Sequence, residues 1–140
     1  AGGRTILDDC YNANPASMRA AIALLGQAEV GNRGRRIAVL GDMLELGPTG
    51  AQLHGAIAES VEAAGIDLVF CSGPHMRALW EALPSRVRGG YAETAAGLET
   101  TVLDAIRAGD AVMVKGSLGS KMGPIVRALE RKFPRQAAHA

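Results

Sequence analysis

The run Arg36-Ile37-Ala38-Val39-Leu40 carries no polar side chain after its first residue and leads straight into Gly41-Asp42. A strand with one wet face alternates apolar and polar residues. A run that is apolar throughout belongs to a strand covered on both faces, which is the condition of a parallel sheet. Asp67-Leu68-Val69-Phe70-Cys71 and Ala111-Val112-Met113-Val114 have the same form, Thr5-Ile6-Leu7 is a shorter version, and residues 87–91 form a weaker one. Between these runs the apolar residues change to helical spacing. Met18, Ala21, Ile22 and Leu25 share one face, as do Leu53, Ile57, Val61 and Ala64. Met76, Leu79, Trp80 and Leu83 follow, and then residues 93–108 with Leu98, Val102, Ala105 and Ile106. The last stripe is Met122, Ile125, Val126, Leu129 and Phe133.

Strand and helix therefore alternate with no internal repeat and no linker. This pattern predicts one domain over residues 1–140: a three-layer α/β/α, Rossmann-like fold with a mostly parallel sheet of five or six strands and right-handed crossovers. Local signals mark several boundaries. Asn14 and Pro15 suit the cap and first position of the first helix. Thr49-Gly50-Ala51-Gln52 has the form of a capping box at the second. Gly65, Gly109 and Pro134 read as stops, and the tail beyond is expected to fray.

A net charge of +1 and 4% aromatic residues give no basic footprint or stacking platform for nucleic acid. No apolar run approaches the length needed to span a bilayer, so no membrane insertion is expected. Cys10 and Cys71 fall in no metal or redox spacing, and free thiols in a reducing cytoplasm are the expectation.

The chemistry-bearing residues all follow strands, in residues 8–15, 41–47 and 115–121. In an open α/β sheet, ligands bind at the carboxyl ends of strands. Asp8-Asp9-Cys10-Tyr11-Asn12-Ala13-Asn14-Pro15 is more polar than a helix cap requires. Lys115-Gly116-Ser117 reads either as an anion-binding turn with a charge and a donor, or as a solvated lysine beside a turn. Asp42 and Glu45 could receive an ammonium or a metal, or simply be solvated. His54, His75 and His139 are scattered and read as surface residues, with no metal spacing. Cys10 lies between Asp9 and Tyr11, where an acidic neighbour disfavours a thiolate. There is no G-x-x-x-x-G-K-[ST] loop and no G-x-G-x-x-G after the first strand. For the three loops to form one site, the fifth strand must lie between the first and the second.

Taken together, D-D-C-Y-N-A-N-P-A-S-M, V-L-G-D-M-L-E-L-G and V-K-G-S-L-G-S-K-M resemble the C-terminal domain of the MurF-type Mur ligases, over nearly the whole chain and in the family's order. Cys10 stands where that family usually has serine, and the D-N-P-R motif of the diaminopimelate-adding ligases is missing. The resemblance implies an ATP-dependent ligase of three domains acting in peptidoglycan synthesis. The terminal carboxylate of UDP-N-acetylmuramoyl-tripeptide is phosphorylated, and the amine of D-Ala-D-Ala attacks the acyl phosphate. This chain would be the third domain, binding the dipeptide and closing over ATP. Its partners would be the N-terminal and central domains of the same polypeptide. ATP and Mg2+ would belong to the full-length enzyme. By motif match, Asp9, Tyr11 and Asn12 would face the nucleotide, and Asn14, Asp42, Lys115 and Ser117 would surround the dipeptide. The implication assigns no catalytic or metal-binding residue to this chain. Alone it would be inactive and hold ATP at about millimolar affinity or worse. The family's additional antiparallel first strand would be missing or frayed here. A stand-alone binding module, or the C-terminal domain of another Mur or folylpolyglutamate-type ligase, would share the same fold.

Overall fold

The structure, a computed structural model, describes residues 5–9, 13–44 and 46–133. Five strands, β1 (Thr5–Asp9), β2 (Arg36–Gly41), β3 (Leu68–Ser72), β4 (Arg88–Ala92) and β5 (Ala111–Lys115), form one sheet in the order β1-β5-β2-β3-β4. Every pairing is parallel. The helices are α1 (Pro15–Gly26), α2 (Gly50–Ala64), α3 (Arg77–Ala82), α4 (Ala95–Ala105) and α5 (Gly123–Lys132). Among the described residues no helix is long and apolar enough to cross a membrane.

The unbroken apolar runs are explained by two cores, one on each face of the sheet. Ala38, Leu40, Val69, Cys71 and Met113 pack with Met18, Ile22 and Leu25 of α1, with Ile57 and Val61 of α2, and with Leu79 of α3. Ile37, Val39, Phe70, Val112 and Val114 pack with Leu98 and Val102 of α4 and with Ile125, Val126 and Leu129 of α5. Successive residues of β2 and β5 thus point into opposite cores, as a strand's period of two requires. Cys71 is a free, buried thiol, and burial followed by the nearby Asp42 charge pushes it up to about 12. It is therefore inert packing at neutral pH.

The caps differ from expectation in one place. Asn14 is extended, its side chain accepts the Ser17 N–H at 2.8 Å, and Ser17 Oγ accepts the Asn14 N–H at 3.0 Å. The reciprocal capping box is therefore at α1. Thr49 makes no side-chain cap bond. A 3-10 turn over Gly47–Thr49 leads directly into α2, so the Gly50 N–H already bonds the Gly47 carbonyl. Thr49 has φ −91° and ψ 9°, away from the extended geometry that a capping side chain needs. α4 is also shorter than residues 93–108. Thr94 caps it through the Gly97 N–H at 3.0 Å, and the chain is extended again at Ile106. Gly97 thus sits in the first turn.

The amino-end rim of the sheet carries a buried ion pair. Asp110 accepts from the Arg35 N–H and guanidinium and from the Arg107 N–H, each at 2.9 Å, and Arg35 also reaches the Ala105 carbonyl at 2.7 Å. Burial alone would raise the Asp110 carboxyl. The hydrogen bonds from Arg35 and Arg107 outweigh it and hold the group below its ordinary value. This clamp joins the entries of β2 and β5 to the end of α4.

Candidate functional site at the carboxyl rim

The strand order puts the three loops side by side. β5 lies between β1 and β2, with Lys115 in register with Asp9 on one side and with Leu40 on the other. The turns after β1, β2 and β5 therefore open on the same rim. The chain moves outward from β2 to β3 and β4 in one direction and places β5 and β1 in the other, and the strand ends at such a reversal are where open α/β sheets bind ligands.

Ser117 ties the loops together. Its N–H donates to the Asp42 carbonyl at 3.0 Å. Its Oγ accepts the Leu44 N–H at 2.9 Å and donates to the Ala13 carbonyl at 3.4 Å. The Ser117 carbonyl accepts from the Ser120 N–H and hydroxyl at 2.9 and 2.6 Å. Residues 13, 42, 44 and 117 thus form one bonded cluster, with Asn14 next to Ala13. The Ser117 N–H is committed within the chain, so the expected anion-binding turn does not form through that group.

Gly116 also has a packing role. A Cβ there would collide with Ser120 Oγ and lie 2.9 Å from Met122 Cγ; one at Gly41 would lie 2.6 Å from Met122 Sδ. The paired glycines let the start of the β5–α5 connection settle onto the ends of β2 and β5.

Asp42 is 4% exposed. Its carboxylate accepts the Met76 N–H at 2.8 Å and the His75 N–H at 3.2 Å, which fixes the turn before α3. A carboxylate offers about four lone-pair positions, so two remain for another donor. Gly73, at φ +105°, lies against this carboxylate where a Cβ would collide with it.

Lys115 is fully buried, so of its two readings the solvated lysine beside a turn does not hold. Its strand is flanked on both sides, by β1 and β2. A buried ammonium persists only where acceptors or opposite charge compensate lost hydration.

His54 also departs from expectation: it is buried rather than on the surface. Its Nε2 accepts the Met43 N–H at 2.9 Å and its Nδ1 donates to the Gly50 carbonyl at 2.6 Å. Gly50, His54, Ile57 and Val61 are the buried residues of α2, at helical spacing. That spacing is present in the sequence, but Leu53, Ile57, Val61 and Ala64 fit a helical stripe as well and contain no polar residue. His75 is exposed, as expected, and stacks on His54 with ring centroids 5.6 Å apart. Tyr11, Asn12, Cys10, Glu45 and His139 lie outside the described residues, and Asp9 is placed by its backbone. Among the described residues no three His, Cys, Asp or Glu side chains converge to hold a cation.

Residues 1–118 match the family model described as "Mur ligase, glutamate ligase domain". The chain belongs to the Mur ligase family. It is similar to the UDP-N-acetylmuramoyl-tripeptide--D-alanyl-D-alanine ligase of Escherichia coli, 37% identical over 131 residues, which covers 93% of this chain and 28% of that protein. The ligase of the same name from Treponema pallidum is 37% identical over 130 residues, covering 88% and 28%. Among solved structures, a crystal structure of MurF from Acinetobacter baumannii superposes with a TM-score of 0.78 at 27% identity, over 92% of this chain and 28% of that one. The MurF ligase of Thermotoga maritima, solved in complex with ADP, shares the fold with a TM-score of 0.74 at 22% identity. This Mur ligase domain therefore spans 28% of the length of these two curated relatives.

Proposed function

We propose that this Mur ligase domain is the dipeptide-binding third domain of an ATP-dependent ligase that adds D-Ala-D-Ala to UDP-N-acetylmuramoyl-tripeptide in cytoplasmic peptidoglycan synthesis. The observation that carries this reading is the convergence of three motif-bearing loops on one rim, with buried Lys115 at its centre. D-Ala-D-Ala is a small zwitterion. Its carboxylate suits the Lys115 ammonium, its ammonium suits the free lone pairs of Asp42, and Asn14 and Ser117 border the same space. Asp9, Tyr11 and Asn12 would contact the nucleotide as the domain closes over ATP. The tripeptide carboxylate would be activated as an acyl phosphate by groups on the other domains. Mg2+, which accompanies ATP in the full-length enzyme, would be held there too. The task of this chain is to desolvate and orient the attacking amine, which converts a bimolecular step into one within a complex. The relatives' shared name supports D-Ala-D-Ala over a single amino acid.

Lys115→Met in the ligase carrying this domain tests the assignment, since methionine keeps most of the buried volume and removes the charge. A charge-assisted bond of about 1.5–3 kcal/mol corresponds to a rise of about 10- to 150-fold in the dipeptide KM. The KM values for ATP and the nucleotide tripeptide should stay near their original values. A folded variant with unchanged dipeptide kinetics would remove Lys115 from the site.

A further inference from the structure

The turn at residues 42–44 is held by three hydrogen bonds from two other parts of the molecule. The Asp42 carbonyl takes the Ser117 N–H, and the Leu44 N–H goes to Ser117 Oγ. Between them, the Met43 N–H goes to a histidine from α2. The partners of that histidine dictate its tautomer. The Gly50 carbonyl can only accept, so Nδ1 carries the proton. The Met43 N–H can only donate, so Nε2 must present a lone pair. A second proton on the ring would meet the Met43 N–H head-on.

We propose that neutral His54 is a positioning residue of the rim: its Nε2 holds the Met43 N–H and so fixes the turn that closes on Ser117, and protonation of the ring releases that turn. The inference rests on reading this rim as the dipeptide site, because the same turn carries Asp42.

The surroundings favour the neutral ring. Burial is the largest influence and lowers the His54 pKa below 6.5. The Gly50 carbonyl and the Asp42 carboxylate, at the end of β2, pull the other way, while His75, in the turn before α3, adds to the lowering when charged. A folded-state value below the unfolded one means that the histidine's contribution is complete above about pH 6.5 and is lost as the pH falls below it.

Amide hydrogen exchange on the 140-residue chain, observed by nitrogen-15 NMR, tests the link directly. The sheet amides of Val112 and Phe70 serve as references for global opening. In the parent chain the His54 nitrogens should show a protonated Nδ1 and an unprotonated Nε2 at pH 8. The Met43 protection factor, corrected for intrinsic exchange, should fall at least about tenfold between pH 8 and pH 5, in step with the titration of the ring. His54→Gln keeps an acceptor near the Nε2 position without titrating in this range, so it should preserve Met43 protection at both pH values. His54→Phe fills the ring volume without an acceptor and should lose the protection at both. Met43 protection that ignores the titration of His54 in the parent, or that His54→Gln fails to preserve while the reference amides stay protected, would overturn the proposal. Exchange is read without substrate, so this outcome is independent of any dipeptide assay.

Discussion

Asp42 is held in place before it can serve any ligand. Two backbone N–H groups fix its carboxylate, and Gly73 leaves the room for it. The positive φ of Gly73 is costly for any residue with a Cβ, and the Cβ would also strike the carboxylate. Gly73→Ala should therefore cost about 1–3 kcal/mol in urea unfolding, with the turn before α3 shifted. A loss below about 0.5 kcal/mol would mean that the turn adapts freely. The chemical character of Lys115, Ser117 and Asp42 was legible from residue type and position after strands. Their burial was not. Lysine, aspartate and histidine are usually exposed, and nothing local shows that Lys115 lies between two neighbouring strands; His54 does share helical spacing with Ile57 and Val61, but its polar type argues against the buried face. Burial at these positions is decided by strand order and by loops distant in sequence.

At the scale of elements, helix starts separate what short motifs encode from what neighbouring turns impose. Both 14–17 and 49–52 look like starts. Only Asn14 has the extended backbone that brings its side chain onto the Ser17 N–H. Asn14→Ala should destabilise the chain by about 1 kcal/mol in thermal or urea melts. Thr49→Ala should stay within about 0.5 kcal/mol of the parent, because the 3-10 turn already satisfies the start of α2. Equal effects at the two positions would contradict this account. The strands and most helices were legible because their apolar period changes cleanly between elements. The ends of α4 were less so. Ile106 continues the apolar stripe but is extended, and the approach to the Asp110 clamp ends the helix before the pattern does.

For the whole molecule, the decisive feature is the insertion of β5 between β1 and β2. Burial on both faces predicts a parallel sheet, but local sequence does not fix which strands are neighbours. The order follows from the need to bring three polar loops together, and the registers of Asp9, Lys115 and Leu40 agree with it. The central functional claim is that this rim selects a dipeptide. The most direct measurement is ADP release by the ligase carrying this domain, with UDP-N-acetylmuramoyl-tripeptide as acceptor and different amines offered in turn. A site that pairs both charged ends of a dipeptide leaves one end unmatched when a single amino acid enters, so discrimination in kcat/KM should be large. The account predicts that D-Ala-D-Ala is preferred by at least about 100-fold over D-alanine, glutamate and diaminopimelate. Equal or better use of any of these single amino acids would contradict it.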